Sequence, residues 1–592
     1  MNKTFFKKLL ISHLLICMCF ISIFITYGYS ENLDEDIKPQ TINRVSGKTR
    51  YETAANLSRK FTEADNIILV SGEDFPDALV SSSIAFSLKA PILLTSKDNI
   101  PNETLEEINR LNPTNIYIVG GEGSIHSESL KSLDKNLIRI SGEDRFETSE
   151  KVAEKAIELG LSNDTLIVTG GLSYPDALSS SNLVKDKNSP LVLVRNNLPE
   201  IAKDKNLIAV GGIKNMELEN FNGEIISGKD RYETSVRVLQ SLNNDFSNLL
   251  IASGENYPDA LVASAIENPL LLTKKNGYSL SSLDFIKENK IKDFILVGGL
   301  TNLPESLIDQ LIGLDDDNFK NVKLPEKMPS NHNGKIMVLT MHDVSDIDNA
   351  YNRTPEALKA DLLNLYKKGY LPISLREYID NDINIPEGYS PYVIVLDDGT
   401  LSKFEINEDG SISERCAFGV FKYIDDRLEG HKTKATFFIS GKVPFKQENL
   451  VQKKFDLLLE NEMDIGNHTL NHVNLSKNPQ LIEKEIALQK QNLESYLPDD
   501  YEVNLFAIPF STHFTKKDKS KIFQGEYNGI KYKNIGVAEG GWKLSEAPQN
   551  MDLDNTFIPR IPISRSNNFD IPTELYDFLD YLDKNPNKRY VK

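Results

Sequence analysis

An eight-residue motif that occurs three times constrains the fold of this chain more than any other feature. SGKTRYET at residues 46–53 returns as SGEDRFET at 141–148 and as SGKDRYET at 227–234. Each copy is followed by an apolar stretch that ends near glycine, a Pro-Asp-Ala-Leu segment, a second short apolar stretch, and a third that closes on Val-Gly-Gly. Self-similarity at a near-constant period is the signature of tandem structural units. The modules predicted in this way are residues 42–136, 137–223 and 224–313.

The apolar stretches within each module are continuous rather than alternating, as in NIILVSG (66–72) and PILLT (91–95). Buried parallel strands have this pattern. The segments between them have helical spacing, as in YETAANLSRKF (51–61). A strand–helix–strand order that repeats in this way indicates a parallel sheet covered by helices on both faces. We therefore predict an α/β fold with three doubly wound modules.

Arginine and a Pro-Asp pair recur at equivalent places in the modules. The arginines are Arg50, Arg145 and Arg231, each inside the eight-residue motif. Proline suits the first turn of a helix, and a carboxylate there interacts favourably with the positive helix end. The recurrent residues can therefore serve helix capping and packing between modules. Alternatively, a basic fork beside glycine-rich turns and helix N-termini can bind an anion, and both interpretations stay open.

The N-terminus has the pattern of a secretory signal. Three lysines precede an apolar run from Leu9 to Tyr27, which ends in the small residues of Gly28-Tyr29-Ser30. We predict a signal peptide over residues 1–30, an exported chain, and no stable membrane insertion after cleavage. The rather long apolar run leaves an uncleaved anchor as the alternative.

Charge and cysteine content exclude two further possibilities. The chain carries 67 Lys and Arg against 86 Asp and Glu, a formal net charge of −19, and it has no basic run. We therefore expect no nucleic-acid partner. Cys17 and Cys19 lie inside the predicted signal peptide, so Cys416 is the single cysteine of the mature chain. One cysteine cannot form an internal disulfide.

The three linked motifs of each module resemble the clostridial cell-wall-binding repeat type 2 family over residues 42–313. The resemblance implies a pseudo-threefold arrangement of the modules and non-covalent attachment to an anionic secondary polymer of the Gram-positive cell wall. A chain with a net negative charge can bind an anionic polymer only if cationic side chains make the local contact. Arg50, Arg145 and Arg231 are the polymer-binding candidates that follow.

The second half has the pattern of an irregular (β/α) barrel over residues 335–592. A polar segment with two prolines, residues 314–334, precedes it and reads as a linker. Apolar strand-like segments such as SPYVIVLDDGT (390–400) and KATFFISG (434–441) then alternate with helical ones. The first of these delivers Asp397 and Asp398 at its C-terminal end, which is where barrel enzymes keep their catalytic residues.

GNHTLNH at residues 466–472 holds two histidines four residues apart, His468 and His472. At this spacing both imidazoles can converge on one point, and one carboxylate of the Asp397-Asp398 pair would complete a three-ligand set. Two histidines and one carboxylate leave positions on the ion open for water and substrate, which is typical of catalytic sites. The second aspartate of the pair would then be free to act as a base beside the ion.

These residues resemble the polysaccharide deacetylase (NodB-like) family over residues 335–563. The resemblance assigns Asp397 as the catalytic base and Asp398, His468 and His472 as ligands of a divalent metal, with zinc expected. It also implies that the backbone N–H of Phe510 stabilises the tetrahedral oxyanion. The opening LTMHDV is similar to the start of some deacetylases that act on exopolysaccharide or peptidoglycan.

Two motifs of that family are altered here. The usual Arg-x-Pro-[Tyr/Phe] reads Ala-Ile-Pro-Phe at residues 507–510, so the arginine that orients the base is absent. The late Leu-x-Ile-His, which carries the acid histidine, is not found, and FIPRIPI (557–563) with Arg560 stands near its place. His513 and His342 remain as candidates for the catalytic acid.

The leading hypothesis from the sequence is a secreted, metal-dependent carbohydrate de-N-acetylase that is held non-covalently at the cell wall or surface layer. Its substrate would be N-acetylhexosamine in peptidoglycan or a surface glycan. A second hypothesis is a non-catalytic surface-layer or adhesion protein whose barrel binds sugar. A third is another metal hydrolase, an amidase or esterase, on the same scaffold. Asp397 favours chemistry, because binding alone needs no second carboxylate beside a metal ligand.

Overall fold

The structure is a computed structural model. It describes residues 40–592 except 76, 173, 244–245, 350, 512–513, 551–556 and 565–573. The predicted signal peptide lies outside the described residues. Within the described part of the chain, no helix combines the length and the apolar character needed to cross a bilayer.

The eight-residue motif folds as the start of a helix. In the first copy, the Thr49 hydroxyl accepts a hydrogen bond from the Glu52 N–H at 3.1 Å. The Thr53 hydroxyl accepts from the Gly47 N–H at 3.0 Å, and the Glu52 carboxylate accepts from the Lys48 N–H at 2.6 Å. The other two copies have aspartate at the cap and repeat these bonds. The motif thus supplies its own partners for the unpaired N–H groups of a helix N-terminus.

Strands and helices alternate through the first half of the chain. The strands are β1 (Thr41–Val45), β2 (Asn66–Ser71), β3 (Ile92–Thr95), β4 (Asn115–Val119), β5 (Asn136–Ile140), β6 (Thr165–Gly170), β7 (Leu191–Val194), β8 (Asn206–Val210), β9 (Glu224–Ile226), β10 (Asn248–Ser253), β11 (Leu270–Thr273) and β12 (Asp293–Val297). The helices are α1 (Arg50–Ser58), α2 (Ser81–Leu88), α3 (Asn102–Leu111), α4 (Arg145–Glu158), α5 (Pro175–Asp186), α6 (Arg231–Gln240), α7 (Pro258–Ala263), α8 (Leu280–Glu288) and α9 (Ser306–Leu314).

These strands form three parallel sheets of four strands, in the orders β3-β2-β4-β5, β7-β6-β8-β9 and β11-β10-β12-β1. The last strand in each order immediately precedes an eight-residue motif, yet it pairs with the sheet of another module. β5 and β9 complete the sheets of the modules before them, and β1 completes the third sheet. The sheets therefore extend past the predicted module boundaries at residues 137 and 224. Each module lends one edge strand to another module, and the third sheet takes its edge strand from the first module, so the three modules are linked in a ring.

An aromatic cluster joins the three modules. Phe75, Tyr174 and Tyr257, which stand at the same place in successive modules, contact one another with ring centroids 5.5–6.1 Å apart. Such tilted and edge-on contacts between aromatic rings are favourable beyond the area that they bury. One equivalent ring from each module around a common centre is the pseudo-threefold arrangement that the family resemblance implies.

The segment predicted as a linker, residues 314–334, packs against the barrel. Phe319 is buried in the hydrophobic core of the barrel, and Val322 and Leu324 pack on the same core. The Phe319 ring meets the Tyr423 ring edge to face at 5.3 Å. Residues 314–334 are therefore held by apolar contacts and do not act as a free spacer.

Strands and helices also alternate in the second half. The strands are β13 (Met337–Met341), β14 (Asp343–Val344), β15 (Asn352–Arg353), β16 (Tyr370–Ile373), β17 (Ser390–Leu396), β18 (Ala435–Ile439), β19 (Asp464–Asn467), β20 (Leu505–Ala507), β21 (Gln524–Tyr527), β22 (Ile530–Lys533), β23 (Gly536–Gly540) and β24 (Phe557–Pro562). The helices are α10 (Pro355–Lys367), α11 (Leu375–Ile379), α12 (Ala417–Asp425), α13 (Val451–Glu460), α14 (Ile482–Glu494), α15 (Lys516–Phe523) and α16 (Leu575–Lys584).

Seven parallel strands close into a barrel in the order β13-β24-β23-β20-β19-β18-β17, and β17 pairs back to β13. β16 lies outside the ring, next to β17. Seven strands and an external eighth make the barrel irregular, because a regular one has eight in the ring. The predicted fold class, doubly wound α/β modules followed by an irregular (β/α) barrel, is confirmed.

Candidate metal centre

The residues that the sequence singles out in the second half follow the C-terminal ends of barrel strands. β13 is followed by His342, β17 by Asp397 and Asp398, β19 by His468, and β20 by Phe510. In a parallel barrel these ends share one mouth, so side chains that are distant in sequence meet there.

Asp398, His468 and His472 form a compact group. Their candidate ligand atoms all lie within 4.8 Å of one another. The Nε2 atoms of His468 and His472 lie 3.6 and 3.2 Å from Asp398 Oδ1. Burial would raise the pKa of Asp398, but the neighbouring His468 imidazole holds that pKa below its ordinary value. Two imidazoles and an ionised carboxylate at these distances fit the ligand set of a divalent transition metal.

The backbone orients one of these imidazoles. His468 is buried, and its Nδ1 lies 2.9 Å from the carbonyl oxygen of Ala507. With Nδ1–H as the donor, Nε2 keeps its lone pair toward Asp398, which is the tautomer a metal needs. Asp398, His472 and Phe510 have positive φ angles of 78°, 48° and 62°. Left-handed backbone at side chains other than glycine is costly and concentrates at functional sites.

Asp397 is held by Arg560. The Arg560 Nη1 donates to Asp397 Oδ1 at 2.6 Å and Oδ2 at 2.8 Å, and to the Thr340 hydroxyl at 3.2 Å. Both charged side chains are about 97% buried. Burial alone would raise the pKa of Asp397, but the guanidinium outweighs it and holds that pKa well below its usual range. Asp397 is therefore ionised at neutral pH and fixed in orientation.

Arg560 is the residue that sequence reasoning left without a role. It lies in β24 within FIPRIPI, a strand that is otherwise apolar. A lone charge in a barrel strand was the available signal, since a buried charge requires a partner. The missing Arg-x-Pro-[Tyr/Phe] arginine would come from β20, whereas the guanidinium on Asp397 comes from β24.

Two histidines were the candidates for the catalytic acid. His513 lies outside the described residues. His342 lies in the mouth with its Nε2 4.0 Å from Asp397 Oδ2, and its side chain is 40% exposed. The Tyr351 ring meets the His342 ring edge to face at 5.5 Å. Burial lowers the pKa of His342, and the Asp397 carboxylate opposes this shift.

Phe510 follows β20 and lies beside the ligand group. Its ring is 58% exposed and packs on the His472 ring with centroids 4.7 Å apart. This contact places the Phe510 backbone at the edge of the mouth. Its predicted role, donation of the backbone N–H to an oxyanion, stays a prediction.

The three repeat arginines occupy equivalent, half-buried positions around the aromatic cluster. Each Nη1 donates to the carbonyl of the glycine at the end of the strand that follows its own motif (β2, β6 or β10), namely Gly72, Gly171 or Gly254. Each guanidinium also faces the aromatic ring of another module: Arg50 faces Tyr257, Arg145 faces Phe75, and Arg231 faces Tyr174, at 5.7–6.0 Å. Cation–π contacts of this kind stabilise the junction between modules.

Comparison with protein families agrees with both halves of this description. Residues 44–130, 139–217 and 225–308 match the family model of cell wall binding domain 2. Residues 408–524 match the family model of polysaccharide deacetylase. The latter match includes His468, His472 and Phe510 and begins after Asp397 and Asp398.

Individual relatives resemble parts of the chain. The N-acetylmuramoyl-L-alanine amidase LytC of Bacillus subtilis (strain 168) is 25% identical over 318 residues, which are 50% of this chain and 62% of LytC. Among solved structures, Cwp8 from Clostridium difficile is 28% identical with a TM-score of 0.42, covering 47% of this chain and 52% of its own. The Streptococcus pyogenes deacetylase PplD is 17% identical with a TM-score of 0.30, covering 39% of this chain and 93% of its own. The chain thus spans less than two thirds of LytC and Cwp8.

Proposed function

Because the chain carries three cell wall binding domains 2 followed by a polysaccharide deacetylase domain, we propose that it is a metal-dependent de-N-acetylase anchored at the cell wall. Its substrate would be N-acetylhexosamine in peptidoglycan or another surface glycan. The observation that carries the proposal is the pairing of the Asp398–His468–His472 group with the adjacent Asp397 carboxylate, ionised by Arg560. Sugar binding alone would need no buried, oriented base beside a metal site.

The residues at the mouth can be given roles in hydrolysis of an acetamide. A divalent ion such as zinc, held by Asp398, His468 and His472, would supply a Lewis acid for the acetyl carbonyl and lower the pKa of a water. Asp397 would accept a proton from the attacking water. The Phe510 N–H would donate to the developing oxyanion. His342, whose Nε2 lies 4.0 Å from Asp397 and whose side chain is 40% exposed, would deliver a proton to the leaving amine.

The proposed activity is tested by acetate release from purified peptidoglycan together with the metal content of the same preparation. We expect stoichiometric metal and acetate release that stops after chelation and returns with zinc. Stoichiometric metal without acetate release from any wall fraction would instead favour a sugar-binding surface protein.

Arg560 is proposed to orient Asp397. Arg560→Gln removes the positive charge that counteracts the effect of burial on the pKa of Asp397. That pKa should therefore rise, and the Asp397 carboxylate should be held less firmly in its orientation. We expect kcat to fall by about 10–100-fold, the usual effect of removing a group that positions a catalytic one. The measurement is kcat for acetate release with metal content in parallel.

Arg560→Lys serves as the conservative control. It keeps a cation near Asp397 but loses the guanidinium geometry, so it should recover part of the lost kcat. Equal kcat in the wild type and Arg560→Gln would show that Asp397 needs no arginine partner.

We also propose that the first half binds an anionic wall polymer through Arg50, Arg145 and Arg231. In each side chain, Nη1 donates to a glycine carbonyl. The guanidinium has further N–H donors, whose forked geometry suits a carboxylate or a phosphate. Changing all three to Gln should reduce retention on isolated walls about tenfold or more, since one charged hydrogen bond contributes about 1.5 kcal/mol or more.

Arg195→Gln is the matched control for wall retention, because Arg195 is 47% exposed in the second module and pairs with Glu217 instead of a glycine carbonyl. Its retention should equal that of the wild type. Full retention by the triple variant, with an unchanged circular dichroism spectrum, would assign the three arginines to module packing alone.

A further inference from the structure

We infer that the third cell wall binding domain is a structural part of the catalytic mouth, because it holds the loop that carries Tyr351 to His342. The inference rests on the proposed function of that mouth. The loop, called here the mouth loop, consists of residues 343–349 and 351–353 and includes the paired short strands β14 and β15. It directly follows His342.

The mouth loop forms one wall of the proposed active site. Its Tyr351 ring packs against His342, which lies 4.0 Å from Asp397. Its first residue, Asp343, accepts hydrogen bonds from the Thr400 hydroxyl and the Lys403 ammonium, both at 2.8 Å. Thr400 is two residues after Asp398, so these bonds connect the start of the loop to the segment that carries Asp397 and Asp398. Because His342 directly precedes the loop, a displacement of the loop would move His342 relative to these two aspartates.

The other side of the mouth loop contacts the third domain. The Asp348 N–H donates to the carbonyl of Asn276 at 2.7 Å. Gly277 has φ +150°, and a Cβ built there would lie 2.9 Å from the carbonyl oxygen of Asp346. A side chain at position 277 would therefore collide with the loop, so glycine is what permits the close approach.

A buried charge cluster ties the same loop to both halves of the chain. Arg353, at the end of the loop, is fully buried. It donates to Asp361 of α10 at 2.6 and 2.8 Å, to Asp348 of the loop at 2.6 Å, and to Asp309 of α9 at 3.4 Å. Asp309 belongs to the last helix of the repeat half. A buried guanidinium with partners on three elements fixes those elements relative to one another.

Helix packing closes the junction. A Cβ at Gly313 of α9 would lie 1.7 Å from the carbonyl oxygen of Glu356 in α10, so the two helices meet at a distance only glycine allows. Glu356 pairs with Arg415 at 3.1 Å, and Arg415 also pairs with Asp346 of the mouth loop at 2.6 Å. The loop is thus held between the barrel and the third domain. Arg353 is therefore a positioning residue for the mouth loop. Its hydrogen bond to Asp309 connects that loop to the last helix of the repeat half.

Asp309→Asn in the full chain tests this inference. The isosteric change removes one carboxylate from the cluster without touching the mouth. We expect amide hydrogen exchange in the mouth loop to become about fivefold faster or more. On a soluble N-acetylated oligosaccharide we expect kcat/KM to fall severalfold, mainly through kcat, while metal content and wall retention stay unchanged.

Asp317→Asn is the matched control. Asp317 pairs with Lys292 of the third domain at the same junction but has no contact with the mouth loop among the described residues. It should leave loop exchange unchanged. Gly277→Ala is the second test variant, since its methyl group pushes on Asp346 from within the third domain, and it should accelerate exchange in the same loop.

Selective acceleration in either folded variant supports the inference. Wild-type exchange in both variants, or equal acceleration in Asp317→Asn, overturns it. Hydrogen exchange needs no turnover, so a wild-type chain that releases no acetate would contradict the proposed function while the exchange data still decide the role of the third domain.

Discussion

Asp397→Asn should lower acetate release by about 10²–10⁴-fold, the usual contribution of a general base. Asp397 lies outside the ligand group, so metal content should stay stoichiometric. The amide has nearly the shape of the carboxylate and can still accept from Arg560, but it cannot take a proton from water. The measurement is kcat for acetate release together with metal content.

The same variant predicts a dependence of stability on pH. The pKa of Asp397 is lowered in the folded chain, so its pairing with Arg560 stabilises the fold above the unfolded-state pKa of about 3.9. This contribution is lost as the pH falls toward the lower folded-state pKa. The difference in unfolding free energy between wild type and Asp397→Asn should therefore be constant near neutral pH and shrink below about pH 4.

Asp464→Asn is the control for Asp397→Asn. Asp464 is also a buried aspartate beside an arginine, with Arg376 at 3.6 Å, but it opens β19 and so lies at the opposite end of the barrel. Residues at that end contribute to stability rather than to chemistry. Acetate release should be unaffected in the folded Asp464→Asn protein. Full activity in Asp397→Asn would remove Asp397 as the base.

His472→Ala should abolish stoichiometric metal binding and, with it, acetate release. Two remaining donors, His468 and Asp398, cannot hold an ion in the three-ligand arrangement of catalytic sites. We expect the loss in metal affinity to exceed the 10–100-fold that follows removal of a group beyond the ligands. Metal content measured after dialysis gives the result directly, and chelation of the wild type should reproduce the loss of activity.

His342→Gln is the control for the metal ligands, because His342 lies in the same mouth but outside the Asp398–His468–His472 group. It should keep full metal content while kcat falls. If the His472→Ala protein still contained stoichiometric metal, the ion would be bound at a different site.

The barrel-mouth candidates could be predicted because each lies within a few residues of a strand end. Asp397 and Asp398 directly follow a continuous apolar strand, and His468 and His472 share one seven-residue stretch. Their convergence then needs only the rule that parallel strands end at one face. Arg560 could not be assigned in this way, because it lies 163 residues from Asp397 and reaches it past β13 only when the barrel closes.

The repeat half shows the same division. The eight-residue motif contains its own helix cap, so the sequence predicts three equivalent helix starts and three parallel α/β modules. It does not say which sheet takes the strand before each motif. β1 pairs with β12, which lies more than 240 residues later in the chain. This pairing depends on how the three modules are arranged around one another, which a local motif does not encode.

By itself, the sequence determined the fold class, the order of domains and the candidate residues at the strand ends, because periodicity, helix caps and strand ends are local properties of the chain. Only the tertiary structure decided what fixes those candidates in place. Arg560 on Asp397 and the third domain against the mouth loop are contacts between distant segments. Their partners are selected by barrel closure and by the burial of charges that must be paired, and the sequence does not show which distant residue becomes the partner.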